Sequence, residues 1–208
     1  MTSASNFFVD GPNVDGVLGC ILGRCPLPRE RPRWDEIKRH LSRSFSLTGR
    51  PTFVLDQRHF TPQVYPFHRF LRTAGYECRP VDKVGRYPGN DDPVDEFILD
   101  RLLDAANAPE AGRIQVALCG HDHIYAPFLA AIMASGGRVV ICGFREELSP
   151  ALLDLEGCKC EILDLEHDLG GFTNPLRRPY RPVCRFAVSW SPSHSQIQRS
   201  ITNESGKL

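Results

Sequence analysis

The sequence predicts an α/β fold with a mainly parallel central sheet and helices between the strands. Short apolar strands alternate with helical patterns from residue 7 to residue 163. A chain of 208 residues with 41% hydrophobic residues can bury a sizeable core without disulfides, so its eight cysteines are not needed as staples. We therefore expect one compact α/β domain.

The first elements follow from abrupt changes in composition. The apolar run 7–9 stops at Asp10-Gly11-Pro12, as a short buried strand does when it enters a loop. We expect a Gly/Pro-rich loop to follow, then a helix over 34–45, with Pro32 suited to its first turn. Residues 52–55 are typical of a second strand.

The later elements repeat this alternation. The predicted helices have apolar residues at helical spacing and cover 62–73, 93–106, 125–134 and 149–155. The predicted strands cover 76–81, 114–119, 138–142 and 158–163. Beyond residue 163 the sequence becomes rich in Pro, Arg, Ser and Gly, and only residues 183–190 read as a further strand.

This change of composition predicts a domain over 1–165 and a C-terminal extension over 166–208. Residues 1–170 hold 19 basic and 24 acidic side chains, whereas residues 171–208 hold 6 basic and 1 acidic. A basic extension can contact a polyanion, the acidic body of its own chain, a second copy or another protein, and its charge does not choose among them.

The sequence predicts no contact with a membrane. The longest apolar run, 124–134, is well short of the ~18 to 20 residues that a spanning helix needs. The first residues lack the basic and apolar segments of a secretory signal, so we expect a cytoplasmic protein whose cysteines are reduced.

Three polar groups follow predicted strands, where ligands bind in open α/β sheets. They are Asp10 with Asn13, the cluster that contains Asp95, and the segment His121-Asp122-His123. Carboxylates that converge repel each other unless a cation neutralises them, and Mg²⁺ or Mn²⁺ prefers such oxygen ligands. A bound cation could activate water against a phosphodiester, which is nuclease chemistry.

Each group also has a structural interpretation. Asp10 could form an Asx turn, and Asp91 or Asp92, which precede Pro93, could cap a helix, which leaves Asp95 as the better ligand. Asp122 could cap the helix near residue 125. His121 and His123 could instead bind a transition metal such as Zn²⁺.

A basic stretch follows Asp10 along the chain. Arg29, Arg31, Arg33 and Lys38 could hold an RNA backbone, with Trp34 or Phe60 available for base stacking. The alternative is a solvated helix face.

These residues resemble those of the NYN domain in the PIN-like nuclease superfamily. FFVDGPNVDG resembles its first motif, a strand that ends in Asp-Gly-x-Asn, and DDPVDEFILDRLLDAA resembles the region of its middle acidic residue. LCGHDHIYAPFLAAIMASGGRVVICGF is similar to its fourth strand, acidic loop, helix and fifth strand. The resemblance covers about residues 6–163.

The resemblance implies a PIN-like three-layer α/β/α fold and a metal-dependent endoribonuclease. It makes Asp10 and Asp95 metal ligands and Asn13 a supporting residue. Gly120-His121-Asp122-His123 stands where the family has Gly-Asp-x-Asp, so Asp122 or His121 would complete the metal site and His123 would support it. Imidazole shifts metal preference from Mg²⁺ toward Mn²⁺ or Zn²⁺. An inactive RNA-binding or protein-interaction module, and a phosphatase, remain alternatives.

Overall fold

One parallel sheet organises the protein. The computed structural model describes residues 6–47, 49–57, 65–82, 92–108 and 114–176. Within these ranges the six strands are β1 (Phe7–Asp10), β2 (Thr52–Asp56), β3 (Glu77–Val81), β4 (Gln115–Cys119), β5 (Arg138–Gly143) and β6 (Cys160–Asp164). They pair in the order β3-β2-β1-β4-β5-β6, and every pair is parallel. The predicted parallel sheet is confirmed.

Helices cover both faces of this sheet. They are α1 (Gly11–Leu22), α2 (Trp34–Ser44), α3 (Tyr65–Thr73), α4 (Pro93–Ala106), α5 (Ala126–Ala134) and α6 (Pro150–Leu153). One apolar core lies between the sheet and α1, α2 and α3, and a second lies between the sheet and α4, α5 and α6. The architecture is therefore the expected three-layer α/β/α fold. No helix within the described ranges is long and apolar enough to cross a membrane.

Helix α1 stands where we expected a Gly/Pro-rich loop, and that prediction is wrong for residues 11–22. Its glycines have low helix propensity, but Val14 and Leu18, one turn apart, are fully buried in the core. Tertiary packing therefore overrides local propensity. The helix ends at Gly23, whose φ of 66° is left-handed, as is common at helix C-termini.

The strand order creates a crevice between β1 and β4. The chain moves from β1 to β2 and β3 on one side, and then crosses to β4, β5 and β6 on the other. Such a switch point leaves an opening at the carboxyl ends of the two central strands. Val9 pairs with Cys119, so Asp10 and Gly120, which follow them, lie at the mouth of this opening.

The chain after β6 stays packed on the domain as far as residue 176. Leu165 and Leu169 are buried in the core that faces α1, and Phe172 lies 5.8 Å from Phe144, centroid to centroid. The predicted strand over 183–190 falls outside the described residues. The division of the chain at residue 165 stays a prediction.

Candidate functional site

The side chain of Asp10 faces the crevice because successive side chains of a strand point to opposite faces of the sheet. Phe7 and Val9 face the α1 side of the sheet and Phe8 faces the α4 side, so Asp10 also faces α4. Its Oδ1 accepts the Asn13 backbone N–H at 3.0 Å and caps α1, as the Asx-turn interpretation allowed. Gly11 is required next to it, because a Cβ there would lie 2.8 Å from the carbonyl oxygen of Val54.

Asp95 reaches the crevice from the first turn of α4. It continues the buried stripe of that helix, since Ile98, Leu99 and Leu102 follow it at helical spacing and pack in the core. Asp92 caps the helix, because its side chain accepts the Val94 N–H at 2.8 Å. The interpretation of Asp92 as a cap is confirmed, and Asp91 lies outside the described residues.

Tyr125 joins the two carboxylates. Its hydroxyl lies 2.7 Å from Oδ2 of Asp10 and 2.6 Å from Oδ1 of Asp95, and the residue is fully buried. Gly120 makes room for the ring, since a Cβ there would lie 3.3 Å from Cε2 of Tyr125. We did not single out Tyr125 from the sequence. The available signal was a polar group inside the apolar run 124–134, because a buried tyrosine hydroxyl requires a hydrogen-bond partner.

His121 fixes the loops around the crevice. The Phe144 backbone N–H donates to its Nε2 at 2.9 Å, so the ring proton lies on Nδ1, which donates to Oδ1 of Asn13 at 2.7 Å. The backbone N–H of His121 donates to the same Asn13 oxygen at 3.0 Å. Because both ring nitrogens are engaged, the assignment of His121 as a metal ligand is corrected: it positions Asn13 and the loop after β5.

Asp122 and His123 lie at the exposed mouth of the crevice. Oδ2 of Asp122 accepts a long hydrogen bond of 3.4 Å from Nδ2 of Asn13. Asp122 precedes the 3₁₀ turn His123–Tyr125, but its side chain makes no capping hydrogen bond there. Oδ1 of Asp122 lies 3.5 Å from Nδ1 of His123, whose side chain is 72% exposed, so both side chains face solvent at the mouth of the crevice.

Burial sets the charge of these groups. Burial, reinforced by the charges of Asp95 and Asp92, raises the pKa of Asp10 to about 7, although the bonds from Tyr125 and Asn13 oppose this. Burial likewise raises the pKa of Asp95 to about 6, and Asp92 and Asp122 add to the effect. Burial lowers the pKa of His121 to about 4, so its ring is neutral at pH 7. Among the described residues, no Lys or Arg pairs with Asp10 or Asp95.

Asp10 and Asp95 are the residues in the crevice that could hold a hard cation. No group of three or more His, Cys, Asp and Glu side chains within the described ranges is arranged to hold a metal. Mg²⁺, however, is commonly held by one or two carboxylates together with water and substrate phosphate. One tyrosine hydrogen faces two carboxylates here, so one of the two short oxygen–oxygen contacts needs a further proton or a cation. Carboxylate oxygens are the ligands that Mg²⁺ and Mn²⁺ prefer, and the identity of any bound ion stays a prediction.

The structure separates Lys38, one of the predicted RNA-contacting residues, from this site. The Lys38 ammonium donates to the Ala74 carbonyl at 3.0 Å. Ala74 precedes β3, so Lys38 lies at the amino ends of the strands, whereas the crevice lies at their carboxyl ends. The contact of Lys38 with RNA stays a prediction, and the structure places this residue away from the crevice. Trp34 is 1% exposed and cannot stack on a base, and Phe60 lies outside the described residues.

The arginines of the same stretch are paired within the protein. Arg31 binds Asp15 with its closest contact at 2.7 Å, and its guanidinium lies 4.8 Å from the centroid of the Phe67 ring. Arg33 pairs with Glu36. Arg29 is exposed. These pairings occupy Arg31 and Arg33 within the protein, and their contact with RNA stays a prediction.

Comparison with known proteins supports the fold and leaves the activity open. No family model and no curated protein matches the chain. A solved structure of a protein of unknown function from Vibrio parahaemolyticus is similar, with a TM-score of 0.57 and 16% sequence identity. The match covers 81% of this chain and 98% of the other. At this identity the similarity establishes a shared three-layer α/β/α fold.

Proposed function

We propose that the protein is a metal-dependent endoribonuclease that hydrolyses RNA phosphodiester bonds at the crevice between β1 and β4. One observation carries the proposal: a single buried hydroxyl joins Asp10, which ends β1, to Asp95 of α4. Two carboxylates held this close, with no Lys or Arg paired to them among the described residues, favour a bound divalent ion. The resemblance of the Asp10 and Asp95 segments to the NYN domain supports RNA as the substrate.

The roles in the crevice follow from position. Asp10 and Asp95 would hold Mg²⁺ or Mn²⁺, and Asp122 at the mouth would hold a water molecule or the outer side of the ion. The ion would supply a water molecule of lowered pKa and stabilise negative charge on the phosphodiester. Asn13 keeps Asp122 near Asp10, because its backbone N–H binds Asp10 and its side-chain amide binds Asp122. His121 holds the oxygen of that amide in place.

A cleavage assay with defined metals tests the proposal. The purified protein is incubated with a labelled single-stranded RNA in EDTA and then with Mg²⁺, Mn²⁺ or Zn²⁺, beside the same sequence in DNA. We expect RNA cleavage with Mg²⁺ or Mn²⁺ and none in EDTA. We expect Asp10→Asn and Asp95→Asn each to lower the rate by about 10³-fold, equivalent to about 4 kcal/mol of transition-state stabilisation.

Asp104→Asn is the matched control, because Asp104 is an exposed carboxylate on the same helix as Asp95. It should leave cleavage unchanged. Full activity in the Asp10→Asn/Asp95→Asn double variant, or no activity with any of the three metals, would refute the proposal. Cleavage of DNA as fast as RNA would support the proposed nuclease chemistry but contradict RNA as its specific substrate.

An inactive RNA-binding module is the second candidate, and one observation favours it. Both oxygens of Asp10 already accept hydrogen bonds, from the Asn13 N–H and from Tyr125, so an ion must share or displace a partner. This candidate predicts RNA binding that weakens with salt, persists in EDTA and yields no product. The same samples, measured by fluorescence anisotropy, distinguish it from the nuclease.

We propose a cytoplasmic location for this activity. All seven cysteines within the described ranges are free thiols, which is consistent with a reducing compartment. The extension over 166–208, with its excess of basic residues, is proposed as the contact to RNA, to a protein partner or to a second copy. Cleavage and sedimentation of a chain cut after residue 176 test that assignment.

A further inference from the structure

Tyr125 sits where a cation between Asp10 and Asp95 would sit, and this position has a consequence for metal binding. Its hydroxyl contacts one oxygen of each carboxylate, at 2.7 Å and 2.6 Å. A hydroxyl carries a single hydrogen and can donate it to one acceptor at a time. The second short oxygen–oxygen contact therefore lacks a hydrogen of its own from the tyrosine.

The surroundings hold the hydroxyl in that place. The ring of Tyr125 is fully buried, and Gly120 packs against its edge where any side chain would crowd it. Asp10 is 2% exposed, so water contributes little to solvating its carboxylate. Without the hydroxyl, Oδ2 of Asp10 would lose its donor and face Asp95 in a buried space, and such an unsatisfied group is costly.

We propose that Tyr125 is a positioning residue that substitutes for the cation in the metal-free protein and gives up its bond to Asp10 or Asp95 when the ion binds. This inference rests on the proposed function, since it concerns the same pair of carboxylates. Tyr125 stabilises the metal-free state more than the metal-bound state. Its hydroxyl therefore weakens metal binding while it keeps the empty site folded.

The predicted change in metal affinity is opposite to the change expected for loss of a metal ligand. Removal of a side chain that helps to hold a metal weakens metal binding, whereas removal of a substitute for the metal strengthens it. We expect Tyr125→Phe to bind Mn²⁺ about tenfold more tightly than the wild-type protein, which corresponds to the loss of one net hydrogen bond from the metal-free state alone. Isothermal titration calorimetry with MnCl₂ measures this directly, without any substrate.

Thermal unfolding gives a second readout. Without metal, Tyr125→Phe should melt roughly 5 °C below the wild-type protein, because a buried carboxylate loses its donor. Saturating Mn²⁺ should close most of that difference. Tyr76→Phe is the matched control: Tyr76 is also buried, but its hydroxyl donates to the Trp34 carbonyl at 2.8 Å, remote from any proposed ligand. Its melting difference from the wild type should be the same with and without Mn²⁺.

The outcomes separate this inference from the proposed function. Mn²⁺-dependent cleavage by the wild-type protein, together with weaker or unchanged Mn²⁺ binding by Tyr125→Phe, overturns the role of Tyr125 and leaves the nuclease in place. Absence of Mn²⁺ binding by the wild-type protein overturns both. A variant that folds only with Mn²⁺ supports the inference in its strongest form, and one that unfolds in both conditions overturns it by making Tyr125 purely structural.

Discussion

Two carboxylates in this chain, Asp10 and Glu30, are perturbed in opposite directions. Burial raises the pKa of Asp10 to about 7, whereas the hydrogen bonds from Arg24 and from the Leu27 N–H lower the pKa of Glu30 to about 2. Glu30 lies in the basic segment, residues 24–39, and binds Arg24 through both of its oxygens at 2.6 Å and 2.7 Å. Asp10 lies in the crevice and has only neutral donors.

The comparison distinguishes carboxylates that are neutralised by basic partners from carboxylates that are buried without such partners. In the basic segment, acidic and basic side chains neutralise one another: Arg33 and Arg39 both contact Glu36, as Arg24 contacts Glu30. In the crevice, ionised carboxylates repel each other and oppose folding. A fold tolerates such an arrangement when a ligand relieves it, which is why perturbed and uncompensated groups indicate functional sites.

The largest effect on stability that this comparison predicts is for Asp10→Asn. The folded protein holds a proton at Asp10 up to pH about 7, while the unfolded chain releases it near the ordinary pKa of 3.8. The folded state therefore binds more protons between these values, and its stability falls as the pH rises through that window. Asn removes this loss and still caps α1, so we expect a gain on the order of 3 kcal/mol at pH 8 without metal.

Urea unfolding at pH 5 and pH 8 in EDTA measures this effect. The gain should appear at pH 8 and shrink toward pH 5, where Asp10 is protonated in the folded wild-type protein. Glu30→Gln is the control from the basic segment, and it should not stabilise the protein at either pH. An equal change in stability for Asp10→Asn at both values would contradict the proposed cause.

Much of the fold was accessible from the sequence because strands and helices alternate with clear apolar periodicity. The same local rules placed Asp10 at the end of a strand and Asp95 on the inward face of a helix, and the structure brings these two together through one hydroxyl. Helix α1 escaped prediction because Gly11, Gly16 and Gly19 disfavour a helix locally. Only the packing of its apolar face reveals it.

The partners of individual side chains were not predictable from local pattern. Tyr125 meets Asp10 across 115 positions of sequence, and His121 meets Asn13 across 108. The two histidines of His121-Asp122-His123 look equivalent in the sequence, yet one is buried with both ring nitrogens bonded and the other is largely exposed. Residue type indicated which chemistry was available, whereas the tertiary contacts decide which side chain is free to perform it.

A smaller effect is expected when the neutral network beside Asp10 is broken. His121→Ala removes one of the two donors to Oδ1 of Asn13 and the ring nitrogen that accepts the Phe144 N–H, so it should destabilise the protein by about 2 kcal/mol at pH 7.5. The unfolded chain protonates this histidine near its ordinary pKa of 6.5, while burial lowers the pKa in the folded state to about 4. The contribution of His121 to the stability of the wild-type protein is therefore lost as the pH falls from 6.5 to about 4.

Urea unfolding across pH 4.5 to 7.5 tests this prediction, and the difference between His121→Ala and the wild type should narrow at the acidic end. His40→Ala provides the comparison, because His40 is exposed on α2 and should show little change at any pH. A difference that stays constant with pH would mean that His121 acts through packing alone, for example against Phe144, whose ring centroid lies 5.9 Å away.

The smallest effects are expected in the basic segment itself. Arg33→Gln breaks an exposed pair with Glu36 and should cost at most about 0.5 kcal/mol. Arg31→Gln should cost more, about 1 kcal/mol, because Arg31 is half-buried, binds Asp15 through Nε and Nη2, and covers the Phe67 ring. Salt at 0.5 M should abolish the stability loss of Arg33→Gln and leave part of the loss of Arg31→Gln. The reason is that salt screens exposed charges but does not weaken the contact with the Phe67 ring. Equal losses for the two variants would show that the half-buried pair has no advantage over the exposed one.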